Sequence, residues 1–218
     1  MSDPVKGKSA AGRRREARAH ETRSRIASAA LHLFLNRGYV STTIESIASE
    51  ARVAPATIYQ AFGTKQAVLA AALDAAITGH DEPGPLLARK WVTTASRHRD
   101  PRRRLAAVTR GAARVAGQTA ALKEVMRDAA ATDPGVLELI REDHRRRRET
   151  QRALVGLAIG DARLRPGMTL ERAADTFFLL VNSDAYRLAT SLLGWSHHQW
   201  QRWLVDVITR DCLPDPRA

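Results

Sequence analysis

The sequence predicts an all-α protein, and three observations carry that expectation. Ala, Leu and Arg dominate the composition and are strong helix formers, whereas aromatic residues make up only 5% of the 218 positions. Apolar residues recur at spacings of three and four along most of the chain. Breakers such as Pro83-Gly84-Pro85 fall between those periodic segments rather than inside them.

Taken in order, residues 1–17 carry Lys6, Lys8, Arg13, Arg14 and Arg15 among small residues and cannot bury apolar area. They read as a basic, disordered arm, which either follows phosphates or stays a solvated tail. From Ala19 to Arg37, the residues Ile26, Ala30, Leu33 and Phe34 form a helical face, and Gly38 closes that helix. Thr43 is placed to N-cap a short second helix, with Glu45 and Ser46 in its first turn and Ile44, Ile47 and Ala48 buried. Glu50-Ala51-Arg52-Val53 reads as a tight turn. A third helix starts near Ala54 with Pro55 in its first turn, where a missing amide costs nothing, and turns Ile58 and Phe62 to the core.

Gly63-Thr64 ends the third helix, and Thr64 caps a fourth running from Lys65 to about Ile77. Its apolar stripe is Val68, Leu69, Ala72, Leu73, Ala76 and Ile77. After a linker, helices are expected over Leu86–His98, Pro101–Ala116, Thr119–Ala131, Pro134–Ile159, Thr169–Leu193 and Ser196–Leu213, with a loop from Gly160 to Gly167. The whole amounts to nine or so helices and no strand. The expected domains are an arm (1–17), a helix-turn-helix unit (18–65), a helical effector-binding and dimerisation unit (66–213) and a tail (214–218).

The formal net charge of +12 and a pI near 11.0 favour a polyanionic partner, although an Arg-rich soluble protein would show the same surplus. Cys212 is the only cysteine, so neither an intramolecular disulfide nor a cysteine metal cluster can form within the chain. That usage fits a reducing cytoplasm. The polar, basic N-terminus lacks the apolar segment of a secretory signal, and charges interrupt every long apolar stretch, so no membrane span is expected.

A short helix, a tight turn and a second short helix form a helix-turn-helix pattern. The recognition helix of such a unit presents its N-terminal outward side chains to base edges in the major groove. Here those side chains are Pro55, Ala56, Thr57 and Gln60. Thr57 can hydrogen-bond a base or touch a thymine methyl, Gln60 can pair with adenine, and Ala56 permits close approach. Thr43, by capping the second helix, brings free amides towards a phosphate. Simple exposed helix positions are the alternative.

The run Val53-Ala54-Pro55-Ala56-Thr57-Ile58-Tyr59-Gln60-Ala61-Phe62-Gly63-Thr64-Lys65 resembles the signature of the tetracycline-repressor (TetR) family. Gly38-Tyr39, Thr43 and Ile47-Ala48 agree with it upstream, so the resemblance covers about residues 20–70. It implies that Tyr59 and Lys65 contact phosphates, which position the protein without reading sequence. Two positions depart from the family pattern. Arg52 stands where glycine is common, at a cost of about 1 kcal/mol if left-handed, and its guanidinium is placed to reach phosphate. Ala54 stands where serine is usual and forfeits a cap worth about 1 kcal/mol.

The resemblance further implies that the remaining chain binds an effector and dimerises through its last two helices. Phe177, Val181, Leu188, Trp200, Trp203, Leu204 and Val207 lie on apolar stripes there and are the candidate dimer residues, with core burial as the alternative. Trp91, Leu122, Met126, Phe178, Asn182 and Tyr186 mix apolar walls with polar groups and are the candidate effector contacts, again against a core role. The basic run Arg145 to Arg148 has Glu142, Asp143 and Glu149 nearby and reads as a salt-bridged face before a second DNA site. His197-His198 reads as cap and surface rather than metal site, since adjacent helix residues point apart.

The function expected is a sequence-specific transcriptional regulator: a homodimeric repressor released from a palindromic double-stranded DNA operator by a small-molecule effector. No cofactor, metal or membrane partner is expected. A nucleoid-type structural DNA binder is the alternative, with the same charge but no sequence preference. An enzyme is a distant third, because no nucleophile elbow, phosphate-binding glycine loop or HExxH occurs, and Asp143-His144 lacks a third partner.

Overall fold

A computed structural model describes residues 10–79 and 85–215. Among the described residues the chain is helical, with no strand. The elements are α1 (Ala10–Arg37), α2 (Ile44–Ala51), α3 (Pro55–Phe62), α4 (Lys65–Thr78), α5 (Lys90–Ser96), α6 (Pro101–Ala130), α7 (Pro134–Ile159), α8 (Leu170–Leu180), α9 (Ser183–Arg187) and α10 (His197–Cys212). They form two compact units that divide between Ala75 and Ala76, inside α4 rather than at its start.

The first unit buries most of the side chains its periodicity selects: Ile26, Ala30, Leu33 and Phe34 of α1, Ile44, Ile47 and Ala48 of α2, Ile58 of α3, and Val68, Leu69, Ala72 and Leu73 of α4. Phe62 of α3 and Ile77 of α4, expected in the core as well, are only half-buried. Gly38 sits at φ +74°, a conformation that favours glycine, and its amide bonds the Phe34 carbonyl at 3.0 Å to end α1. The stretch expected to be a disordered arm differs in part. From Ala10 onward it is the first part of α1; Met1 to Ser9 lie outside the described residues. Its alanines, arginines and glutamates have high helix propensity, and the formed helix from Arg18 supplies a nucleus to extend.

The second unit packs α6, α7, α8 and α10 around Leu105, Val108, Ala112, Leu154, Val155, Phe177, Trp200, Leu204 and Ile208. Three expectations are corrected here. The helices expected at Pro101–Ala116 and Thr119–Ala131 are one helix, because Gly117 faces the Tyr186 and His197 side chains rather than ending a turn. The helix expected from Leu86 is a single 3-10 turn, Leu86–Ala88, before α5. The long helix expected over Thr169–Leu193 breaks at Val181, resumes as α9 under an Asn182 cap, and widens into a π-turn over Leu188–Leu192.

Phe177, Val181, Trp200 and Leu204 are also corrected as dimer residues. All four are at most 1% exposed, so they fill the core of the second unit. Leu188 and Trp203 are exposed and Val207 is half-buried; Leu192, which lies on the same apolar stripe, is exposed as well, and so are Leu179 and Leu193, which the stripe does not include. The stripes were rightly identified as apolar, but periodicity cannot divide a wide stripe between core and surface.

Candidate nucleic-acid interface and effector cleft

The first unit builds its presenting surface from three local devices. Thr43 caps α2 by accepting from the Ser46 amide at 3.1 Å, while Ser46 Oγ accepts from the Thr43 amide at 3.0 Å. Arg52 ends α2 in the left-handed region at φ 53°, ψ 50°. The Val53 amide then bonds the Ala48 carbonyl at 3.0 Å, which fixes the angle at which the chain leaves. Pro55 opens α3, and Ala54 provides no side-chain cap.

On α3 only Ile58 is fully buried. Pro55, Ala56, Tyr59 and Gln60 are exposed and Thr57 is half-buried, so the residues expected at base edges and phosphates share one open side. Thr43 and Arg52 are exposed as well. The Lys65 ammonium lies 4.1 Å over the Tyr39 ring, which packs in turn on Phe34 with centroids 5.7 Å apart. A lysine stacked in that way is held at the start of α4 instead of sweeping through solvent. Arg23 was not singled out from the sequence. It donates to the Ala61 carbonyl and stacks 4.1 Å over Phe62, so a cation from α1 tops the C-terminal end of α3. Only the folded pairing of α1 with α3 could have found it.

The six candidate effector contacts do not converge. Met126 and Asn182 line one cleft of about 90 Å³ with Lys123, Arg127, Ile140, Asp143, His144, Arg147, Ser183 and Asp184. Leu122 is core, Trp91 packs against Gly111, and Tyr186 meets Trp200 edge-on at 5.0 Å. Phe178 lies beneath Arg147, 3.9 Å from its guanidinium carbon. The cleft is strongly polar: Lys123 bonds the buried Asp143 at 2.7 Å, and Arg127 pairs with Asp184. Partial burial, then the Arg147 charge, holds the His144 pKa below the ordinary imidazole value.

Much of the basic run is salt-bridged. Arg145 meets Glu142 and Glu138, Arg148 meets Asp175 at 3.0 Å, and Arg152 meets Glu171 at 3.0 Å. His197 packs on Tyr186 and Trp200, and among the described residues no cluster of His, Cys, Asp and Glu is placed to hold a metal. No described helix is long and apolar enough to cross a membrane.

Residues 26–72 match the family of bacterial regulatory proteins named tetR. Over 49 residues the chain is 51% identical to the HTH-type transcriptional regulator HbdR of Aromatoleum sp. (strain CIB), a stretch covering 22% of this chain and 21% of that protein. The match therefore spans about a fifth of that relative's length. Among solved structures, NalD of Pseudomonas aeruginosa, the secondary repressor of the MexAB-OprM multidrug efflux pump, superposes with a TM-score of 0.63 at 20% identity, covering 90% of this chain and 99% of NalD. FadR of Bacillus subtilis, a transcriptional regulator crystallised with stearoyl-CoA, gives 0.65 at 14% identity over 86% of this chain and 97% of its own. A Saccharomonospora viridis protein crystallised with choline gives 0.64 at 20% identity over 90% of this chain and 100% of its own. At such identities the likeness establishes the fold.

Proposed function

We propose, from the premise that this chain belongs to the TetR family of bacterial regulatory proteins, that it is a cytoplasmic, homodimeric repressor which leaves a palindromic operator when a small molecule binds its second unit. The observation that carries the reading is α3: a helix anchored by Ile58 that keeps Pro55, Ala56, Tyr59 and Gln60 in the open. Thr57 and Gln60 read bases. Tyr59, Lys65, Arg52 and the capped N-terminus of α2 at Thr43 set the register on phosphates.

Reading a palindrome requires two recognition helices one helical turn apart, about 34–36 Å, and hence a two-fold dimer. The exposed apolar side chains Leu179, Leu188, Leu192, Leu193 and Trp203 support a dimer face on the second unit, three of them falling within the six residues Leu188–Leu193. Release needs an effector that prefers one of two states; α4, which belongs to both units, is the covalent path between them. The cleft at Met126 and Asn182 is the effector site favoured here. At about 90 Å³ it holds only a few water-sized groups, so an effector enters by opening the α8–α9 break. The fold's use in regulators crystallised with choline and with stearoyl-CoA supports a ligand-responsive second unit without naming the ligand. No catalytic role is proposed.

The test is selection of bound fragments from a random DNA pool near physiological salt. One inverted repeat with half-sites spaced for a dimer is the expected result; tight, salt-sensitive binding without preference would replace the regulator with a structural DNA binder. Gln60→Ala then relaxes preference at one position per half-site, while Tyr59→Phe weakens all sequences about equally. Leu192→Asp yields monomers in sedimentation, and an intact dimer would refute this face.

A further inference from the structure

We infer that the N-terminal part of α1, from Arg14 to Arg25, is a second DNA-binding surface that clamps backbone phosphates flanking the bases read by α3; the inference rests on the DNA-binding reading above. From Arg14 to Arg25 every side chain is exposed except the half-buried Thr22, and the first described buried residue of α1 is Ile26. From Arg14 to Glu21, about two turns of helix therefore extend without burying a face, and a helix polar all round needs something beyond core packing to justify it. Arg14, Arg15, Arg18 and Arg25 are exposed along it against Glu16 and Glu21, so the projecting helix is net positive.

Arg23 fixes where this helix departs. Its bond to the Ala61 carbonyl and its stack on Phe62 pin α1 to the C-terminal end of α3. α1 therefore leaves α3 at the end where the chain turns through Gly63-Thr64 to Lys65, the lysine read above as a phosphate contact. Arg14 lies nine residues upstream of Arg23, or about 14 Å further along the axis. That reach extends the footprint past the groove occupied by α3. The contacts are with phosphate, since arginines spaced along a straight helix outside the groove meet backbone and not base edges.

The experiment compares the full chain with an Arg14→Ala/Arg15→Ala/Arg18→Ala variant on the selected operator and on random duplex, by fluorescence polarisation between 50 and 200 mM salt. Each neutralised phosphate contributes about 0.9 to the log–log salt slope, so loss of three makes the slope shallower by about 2.7. The affinity lost across that salt range is then smaller by ~40-fold for the variant. Operator and random DNA weaken by the same factor, circular dichroism is unchanged because alanine keeps the helix, and a triple Arg→Lys variant restores the slope. An unchanged slope in an alanine variant that still binds DNA would overturn the clamp and leave the recognition helix standing. Failure of the parent chain to bind any duplex would overturn both.

Discussion

Two interruptions of helix shape this molecule, one at Arg52 between α2 and α3 and one at Val181–Asn182 between α8 and α9, and they are held by different means. The first is closed within a dozen residues. Thr43 and Ser46 cap each other, Arg52 goes left-handed, its amide and that of Val53 turn back to Ser49 and Ala48, and Pro55 starts the next helix. The second is closed from a distance. Arg147 of α7 donates to the Phe178 and Val181 carbonyls at 3.3 and 3.4 Å, and Gln151 donates to Val181 at 2.9 Å. Local bonds contribute as well: the Val181 amide donates to the Phe177 carbonyl at 2.8 Å, and Asn182 donates to the Leu179 carbonyl at 2.6 Å and accepts from Ala185. Helix ends must place their last carbonyls somewhere; the chain solves this once with neighbours and once with another helix.

The largest effect should come from removing the remote donors. Arg147→Met with Gln151→Leu leaves carbonyls at the break without partners and loses the stack on Phe178, at about 2–4 kcal/mol in urea unfolding. The single changes should not add, because both side chains bond the Val181 carbonyl. Hydrogen exchange of the amides of α9 should accelerate in the double variant. Parental stability would mean that the break is encoded locally after all, and the contrast between the two sites would fall.

That contrast also explains what was legible. The Thr43 cap, the Arg52 turn, the uncapped Ala54 and the Ile58 anchor were all readable because each depends on residues within a few positions. The break at Val181 was not, since Thr169 to Leu193 keeps an unbroken apolar rhythm and the side chains that stabilise the break are some thirty residues upstream. For the same reason the candidate effector residues scattered: Met126 and Asn182 share a cleft, but Trp91 is held by Gly111, where a Cβ would lie 2.3 Å from the indole. Arg23 escaped notice because its partner, the end of α3, is 38 residues away.

Smaller effects are expected at the local break. Thr43→Ala removes one reciprocal cap and should cost about 1 kcal/mol, read as a shift of the urea midpoint with unchanged slope. Arg52→Gly should act in the opposite direction, gaining up to about 1 kcal/mol by relieving the left-handed conformation of a side-chain-bearing residue. If the guanidinium also meets phosphate, as proposed, the same variant binds DNA more weakly while melting higher. A variant that melts lower would show that Arg52 has a structural partner worth more than the strain.

The smallest effect is one of pH, and it separates the two breaks by charge. His144 stands beside Arg147 and Asp143 in the cleft that borders the remote break, and partial burial and the Arg147 charge lower its pKa. A depressed histidine costs nothing above its ordinary value near 6.5, where both states are neutral. As pH falls below that value the unfolded chain binds the proton first, so stability declines until the folded pKa is reached. Thermal melts from pH 7.5 to 5 should therefore show a decline that is shallower in His144→Gln. It should also be shallower in Arg147→Met, where the second cause of the shift is gone. His197, lowered by burial and by the His198 charge, contributes a residual slope that neither change removes. If Arg147→Met instead leaves the decline as steep as in the parent, the guanidinium acts on this break through its carbonyl bonds and its stack alone, and the electrostatic half of the contrast disappears.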